Sequence, residues 1–176
     1  MFIISIPKDF NKVDGKPFRK IKEDREGKVV RATDEKDNLI PPSKDAEGND
    51  SFQYETVSAT YLDMLSSFLN SIFDVVAMKA REDKENKEIK PEDRTKPLEL
   101  EDSSYATDIF RAIHVSNETL ELEKHPHEWL VKLLTNYGVA SFGINAATIL
   151  EPVKNAVQQD PTRAERKRNE DKKTIK

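Results

Sequence analysis

A long amphipathic stretch in residues 58–79 constrains the fold more than any other part of the sequence. Apolar residues recur every three or four positions, at Leu62, Leu65, Leu69, Ile72 and Val76. Aromatic and further aliphatic residues widen this stripe, and serine, asparagine and aspartate fill the opposite side. The spacing predicts an amphipathic helix, with Ser58 or Thr60 as its N-cap. The apolar face is too wide to stay in water, so something must cover it.

Two interpretations of this face are open. In the first, part of it is internal and the remainder binds a protein partner or a second copy of the chain. The anchor residues would then be Leu62, Leu65, Phe68, Leu69 and Ile72. In the second interpretation, the whole face is the core of a single chain.

The N-terminal part favours short β-strands. FIISI (residues 2–6) has the composition of a strand, and FRKIK and KVVRA flank a turn in which Gly27 can adopt a positive φ. A second turn is expected at residues 34–38, followed by a short third strand that Pro41 and Pro42 end. Residues 43–51 have the composition of a polar loop.

Three more helices are expected after the first. The second is capped by Asp102 or Ser103, the third begins near Pro126 and ends before Gly138, and the fourth begins near Ser141 and contains Pro152. TLELE (residues 119–123) alternates, which is typical of a short strand or of an extended link. The sequence therefore predicts an α+β fold: a small antiparallel N-terminal hairpin or sheet, a mainly α core of four helices, and a disordered or extended basic C-terminal tail.

The expected domain boundaries follow from this division. Residues 1–50 form the β-rich segment, residues 51–157 the helical core and residues 158–176 the charged tail.

Composition excludes several classes of function. The chain has no cysteine, which rules out disulfides, thiolate nucleophiles and Cys-based metal sites. Its longest apolar region is interrupted by Asp63, Asn70 and Asp74, which argues against a membrane span. The apolar run at the N-terminus is too short for a signal peptide. We therefore expect a soluble, cytoplasmic protein without a membrane partner.

The stretch HPHEW (residues 125–129) raises the question of a metal site. His125, His127 and Glu128 are ligand types that zinc or iron accepts. However, Pro126 suits the first turn of a helix, and a helix start separates the two imidazoles. The third histidine, His114, belongs to another segment. We expect a helix start and no metal ion here.

No catalytic motif stands out. The sequence has neither a G-x-S-x-G elbow nor a glycine-rich phosphate loop, and its many carboxylates show no sign of being forced into unequal environments. The helix–glycine–helix pattern of residues 126–157 has few side chains suited to reading base edges. We expect a protein that is not an enzyme and carries no cofactor.

The tail is the alternative source of function. Between residues 163 and 176, seven basic residues face three acidic ones, although the whole chain has a net charge of −4. Such a tail can bind a nucleic-acid backbone in a salt-dependent way. The candidate contacts are Arg163, Arg166, Lys167, Arg168, Lys172 and Lys173.

The order of elements over roughly residues 58–157 resembles that of small accessory proteins encoded by bacteriophages. It comprises YLDMLSSFLNSIF, a charged gap, YATDIFRAI, TLELE, EWLVKLLTNYG and INAATILEPVKNA. The resemblance implies virion assembly, regulation or host interaction, in the host cytoplasm or in the virion. Our sequence-based hypothesis is a helical, oligomeric protein–protein interaction or assembly factor, and the alternative is a nucleic-acid-associated accessory protein.

Overall fold

The computed structural model describes residues 1–159, which form an α+β structure. The long helices are α1 (Tyr61–Glu85), α2 (Leu100–Val115) and α3 (Lys124–Phe142), and α4 (Ala146–Lys154) is short. The strands are β1 (Phe2–Ser5), β2 (Arg19–Ile21), β3 (Ser43–Lys44), β4 (Asp50–Ser51), β5 (Thr56–Ser58), β6 (Thr119–Leu122) and β7 (Val157–Gln158). The predicted α+β class, with antiparallel N-terminal strands and helices, is confirmed.

The first strand pairs with strands from the far end of the chain. β1 lies between β6 and β7 in a three-stranded antiparallel sheet, with Ile4 opposite Leu120 and Ile3 opposite Val157. In β6, Leu120 and Leu122 are buried while Thr119 and Glu121 are exposed, which explains the alternation of TLEL. We call this sheet together with the four helices the helical body.

Helix α1 supplies more buried apolar side chains to the core of the helical body than any other element of residues 1–159. Its buried apolar side chains are Tyr61, Leu65, Phe68, Leu69, Ile72 and Val76. The buried Tyr61 hydroxyl donates a 2.9 Å hydrogen bond to the Ile149 carbonyl, which ties the start of α1 to α4. The core therefore joins elements that are far apart in sequence.

Helix caps decide where α1 and α2 begin. Thr60 is the N-cap of α1 and forms a capping box with Asp63. Of the two N-cap residues that the sequence allowed, Ser58 and Thr60, the structure shows the second. The predicted cap of α2 is wrong, because Glu99 occupies that position and Asp102 is the third helical residue. The Asp102 carboxylate accepts both the Glu99 N–H and, at 2.6 Å, the Trp129 indole N–H. It therefore has a partner on α3 as well as at the helix start.

The end of the helical region also differs from the prediction. Gly138 lies inside α3, which continues to Phe142 and ends at Gly143, where φ is +57°. The three long helices replace the four comparable ones that were expected, and the fourth is reduced to nine residues. The helix continues past Gly138, whose backbone is helical, and ends at Gly143, whose positive φ is one that glycine adopts without strain.

We expect Gly138→Ala to stabilise the protein by about 0.5–1 kcal/mol, because alanine loses less backbone entropy than glycine in a helix interior. An added Cβ would meet the Ala146 Cβ at 3.5 Å, an ordinary contact distance. Urea denaturation measures the gain. The matched variant is Gly143→Ala, which should be destabilised because of its positive φ. A loss of stability in Gly138→Ala would show that α3 and α4 are packed more tightly than this distance implies.

Within residues 1–159, no helix has both the length and the apolar character needed to cross a bilayer.

Candidate interaction surface

Residues 11–58 form an extended antiparallel structure beside the helical body, which we call the ribbon. One side of the ribbon, which we call the straight side, is the continuous extended segment of residues 50–58 and includes β4 and β5. Three segments pair with this side in turn: β2 with β5, the bridge of Arg31 with Tyr54, and β3 with β4. Most side chains of the ribbon are exposed to solvent.

The opposite side of the ribbon is interrupted by hairpins that branch from it. Lys22 donates its N–H to the Glu55 carbonyl, and the Glu55 N–H donates to the Val30 carbonyl. Val30 in turn donates to the Lys22 carbonyl, so the chain leaves the ribbon at Lys22 and returns at Val30. A second branch leaves at Ala32 and returns at Ile40. Two hairpins therefore project from one side, while the other side stays continuous.

Four five-residue loops share one backbone conformation. They cover residues 12–16, 24–28, 34–38 and 45–49. In each, the first N–H donates to the fifth carbonyl and the fourth N–H donates to the first carbonyl. The fourth residue has a positive φ every time, at Gly15, Gly27, Asp37 and Gly48. This is a three-residue hairpin connection with a left-handed bulge residue, which favours glycine.

An aspartate at the first position stabilises three of these loops. The side chains of Asp24, Asp34 and Asp45 each accept the N–H groups two and four residues later, at 2.8–3.0 Å. These bonds favour the ionised form. The Asn38 N–H, with that of Lys36, lowers the pKa of Asp34, and the Asn49 N–H lowers the pKa of Asp45.

An aromatic cluster attaches the ribbon to the helical body. The rings of Phe10 and Phe18 stack with centroids 4.6 Å apart, and Phe10 meets Tyr61 edge to face at 5.4 Å. Next to this cluster, the Lys20 ammonium contacts the Asp63 carboxylate of α1 at 2.6 Å. The Val13 N–H donates to the Asn145 side chain. These contacts hold the ribbon at a defined angle.

The two faces of the ribbon differ in character. Lys20 contacts α1 from one face. The other face has the exposed side chains of Ile21, Phe52 and Tyr54, and the Arg31 guanidinium lies over the Phe52 ring at 4.4 Å from its centroid. Apolar groups therefore line the side of the ribbon that faces away from the helical body. This outward face is the candidate interaction surface.

The residues of α1 that were predicted to anchor a partner do not lie on the outward face of the ribbon. Leu65, Phe68, Leu69 and Ile72 are at most 1% exposed within the single chain, and Leu62 is half-buried. The other helices pack against α1 and cover this face, in agreement with the second interpretation of the stripe. The structure therefore corrects the first interpretation, because these four side chains are not available to a partner.

The HPHEW stretch is the start of α3. His127 is buried, stacks on the Phe2 ring at 4.0 Å between centroids, and donates from Nε2 to the Val153 carbonyl at 2.9 Å. His125 and Glu128 are exposed. No group of three or more metal-binding side chains occurs among residues 1–159. His127 thus connects β1, α3 and α4 as part of the core.

The six basic residues proposed to contact nucleic acid, Arg163, Arg166, Lys167, Arg168, Lys172 and Lys173, lie outside the described residues. That hypothesis stays a prediction.

Polar side chains around Asp83 hold the charged connection between α1 and α2 against the end of α1. Asp83 is buried, and its carboxylate accepts the Thr95 hydroxyl at 2.6 Å, the Thr95 N–H at 2.9 Å and the Lys79 ammonium at 2.9 Å. These bonds lower the pKa of Asp83 to about 2, with the Thr95 hydroxyl contributing most. The connection is therefore anchored to α1 at Thr95.

The pKa of Asp83 gives a pH-dependent prediction. Because the folded state lowers this pKa, the stabilisation is complete above the ordinary value of 3.8 and is lost as the pH falls through about 2. Asp83→Asn should lower the melting temperature by several degrees at pH 7, and the difference from wild type should disappear near pH 2. Thermal melts of both proteins from pH 7 to pH 2 measure this. A difference that does not change with pH would show that the charge of Asp83 is unimportant.

Comparison with known proteins gives no family assignment. No family model matches the chain, and no curated protein or solved structure is significantly similar to it. The geometry of the described residues is therefore the basis for the functional proposal.

Sequence reasoning found two of the loops but missed the repetition. The pattern Asp-x-x-Gly-Lys or Asp-x-x-Gly-Asn occurs at residues 24–28 and 45–49, and Asp-x-x-Asp-Asn at residues 34–38. A search for a repeat of about ten residues would have detected it. Residues 43–51, predicted as a polar loop, form the hairpin at the end of the ribbon.

Proposed function

We propose that the protein is a non-enzymatic protein–protein interaction or assembly factor, and that the outward face of the ribbon is its binding surface. One observation carries the proposal. Six of the twelve large apolar side chains that are exposed among residues 1–159 lie on the ribbon: Val13, Ile21, Val29, Leu39, Phe52 and Tyr54. The ribbon is otherwise built largely from charged and polar residues.

A two-stranded ribbon in water has little means of burying such side chains. Isolated hairpins are marginally stable, and a third strand or another surface is normally needed. Clusters of exposed apolar groups on soluble proteins mark sites of interaction. A bound protein would cover the outward face and so stabilise the ribbon as well.

The attachment of the ribbon supports the same proposal. Stacked aromatic rings and the Lys20–Asp63 ion pair fix it to α1 before any partner binds. A surface held in place in advance loses less conformational entropy on binding than a free loop does. An assembly role in a bacteriophage particle stays a prediction from the sequence pattern, and binding through a fixed surface is compatible with it.

The test is quantitative affinity capture from native host cells with a variant of the outward face. Replacing Ile21, Phe52 and Tyr54 with serine removes its exposed apolar side chains. The matched control replaces Leu100 and Val115 with serine, since these are 88% and 81% exposed on α2. We expect the ribbon variant to lose the bound partner and the control to keep it. Equal recovery with both variants would contradict the proposal.

A further inference from the structure

The straight side of the ribbon has an unpaired edge. Ser51, Glu55 and Gln53 direct their backbone groups towards the other segments of the ribbon, as the bonds at Lys22, Ala32 and Ser43 show. In an antiparallel strand, alternate residues direct these groups to opposite sides. The N–H and carbonyl groups of residues 50, 52, 54, 56 and 58 therefore point away from the ribbon. Within the described chain, no backbone hydrogen bond uses those of Phe52 or Tyr54.

Nothing in this strand protects the edge from pairing. Natural edge strands are commonly blocked by lysine, proline, a bulge or an inward charge. Residues 50–58 (DSFQYETVS) contain no lysine, proline or glycine. Their two carboxylates are already engaged, Asp50 with Lys44 at 2.6 Å and Glu55 with Lys22 at 2.5 Å. Phe52, Tyr54, Thr56 and Val57 are residue types that favour strands.

We propose that this edge pairs with the same strand of a second copy, antiparallel, with Tyr54 on the two-fold axis. This inference goes beyond the proposed function, because it concerns the backbone edge of the ribbon and not its outward face. With Tyr54 opposite Tyr54, Phe52 faces Thr56 and Asp50 faces Ser58. All the outward backbone groups of residues 50–58 then meet an outward group of the other copy. The two ribbons then form one continuous sheet. A sheet of three or more strands is more stable than an isolated two-stranded structure.

Charge is compatible with this register and disfavours one of its two neighbours. Glu55 faces Gln53 across the two-fold, so no two like charges are opposed. A shift that places Glu55 on the axis would bring two glutamates face to face, which is unfavourable. Arg19 lies directly opposite Ser58 in the ribbon. It therefore lies two strands away from Asp50 of the second copy, about 10 Å across the sheet and on the same face, where its long side chain can reach over Ser58 to that carboxylate.

A proline substitution tests the edge directly. Thr56→Pro removes an outward N–H and no bond within the ribbon, whereas Thr56→Ala keeps the N–H and removes the side chain. Wild type and Thr56→Ala should have twice the monomer mass in sedimentation equilibrium. Thr56→Pro should raise the dissociation constant of the dimer about 10- to 100-fold, because the two-fold axis places the substitution in both copies and each copy loses a hydrogen bond. Its circular dichroism spectrum should be unchanged. Equal dimerisation by Thr56→Pro and Thr56→Ala would overturn the proposal.

Cysteine crosslinking tests the register, because the chain has no cysteine of its own. Residues opposite each other in a hydrogen-bonded pair have Cα atoms about 5.5 Å apart, within the range of a disulfide. Tyr54→Cys should therefore form a disulfide-linked dimer under mild oxidation. Gln53→Cys should not, since it faces residue 55. Equal crosslinking of both variants would show that the pairing lacks this register.

The two proposals fail in different ways. If wild type is a monomer and a different protein is lost from the serine variant of the outward face, the ribbon binds a foreign partner and only the dimer is refuted. If the dimer persists in Thr56→Pro but is lost in the serine variant, two copies meet through the outward face, which again refutes the edge pairing. If neither variant changes any interaction, both proposals are wrong.

Discussion

Replacing Phe68 with alanine should lower the free energy of unfolding by about 3–5 kcal/mol. Phe68 is 1% exposed, and its ring packs against that of Phe142, with 5.7 Å between centroids. Truncation removes a large apolar side chain and leaves a cavity that the surrounding helices cannot fill. Urea denaturation monitored by circular dichroism measures the loss.

The matched variant for this prediction is Leu62→Ala, from the same apolar stripe. Leu62 is half-buried, so its truncation should cost clearly less than that of Phe68. The pair distinguishes the two interpretations of the stripe. If Phe68→Ala kept its stability and lost only the binding of a partner, the face would be a binding surface in solution and the packing described above would be wrong.

Replacing Phe18 with alanine should detach the ribbon from the helical body. Phe18 is 5% exposed, stacks on Phe10, and accepts the Ala59 N–H through its carbonyl at 2.8 Å. Loss of the ring removes about 3 kcal/mol or more of packing at the point of attachment. If the ribbon opens as its own unit, its amides at Ala32 and Glu55 should exchange with solvent about 100-fold faster. Amides of the central strand, such as that of Ile4, should change much less.

Hydrogen exchange followed by NMR or mass spectrometry makes this comparison residue by residue. Val13→Ala is the control, because Val13 belongs to the same part of the ribbon but is 65% exposed. It should leave exchange unchanged in both regions. An equal acceleration of ribbon and body amides in Phe18→Ala would show instead that the two unfold together.

Local patterns in the sequence identified those elements whose cause is local. The three- and four-residue spacing of the stripe predicted α1, and Gly27 predicted the turn that the structure shows, with φ at +79°. The expected pairing of FRKIK with KVVRA is wrong for residues 19–21, which pair with β5. The alternation of TLELE indicated a short strand or an extended link, and the structure shows the strand β6. In each case the residues that determine the conformation lie within a few positions of one another.

The features that were missed depend on distant contacts. Nothing near FIIS indicates that β1 pairs with strands more than a hundred residues away. The extension of α1 to Glu85 is supported at Asp83 by Thr95, beyond the helix end. Glycine is common at helix ends, so the sequence predicts an end at Gly138, and only the backbone geometry distinguishes it from Gly143.

The candidate site was missed for the same reason. Ile21, Phe52 and Tyr54 come from segments without helical periodicity. Only the pairing of β2 with β5, on the extended segment that also contains Phe52 and Tyr54, brings them to one face. The apolar stripe on α1 was the stronger local signal, but whether a stripe is core or surface depends on what the rest of the chain packs against it.

The branching of the hairpins at Lys22 and Ala32 has a consequence for protein engineering. Each branch begins and ends at residues that are hydrogen-bonded to each other, so its outer part can be exchanged while residues 50–58 keep their course. Foreign peptides grafted in place of residues 24–28 or 34–38 would be displayed on closed stems, at two neighbouring positions of one scaffold.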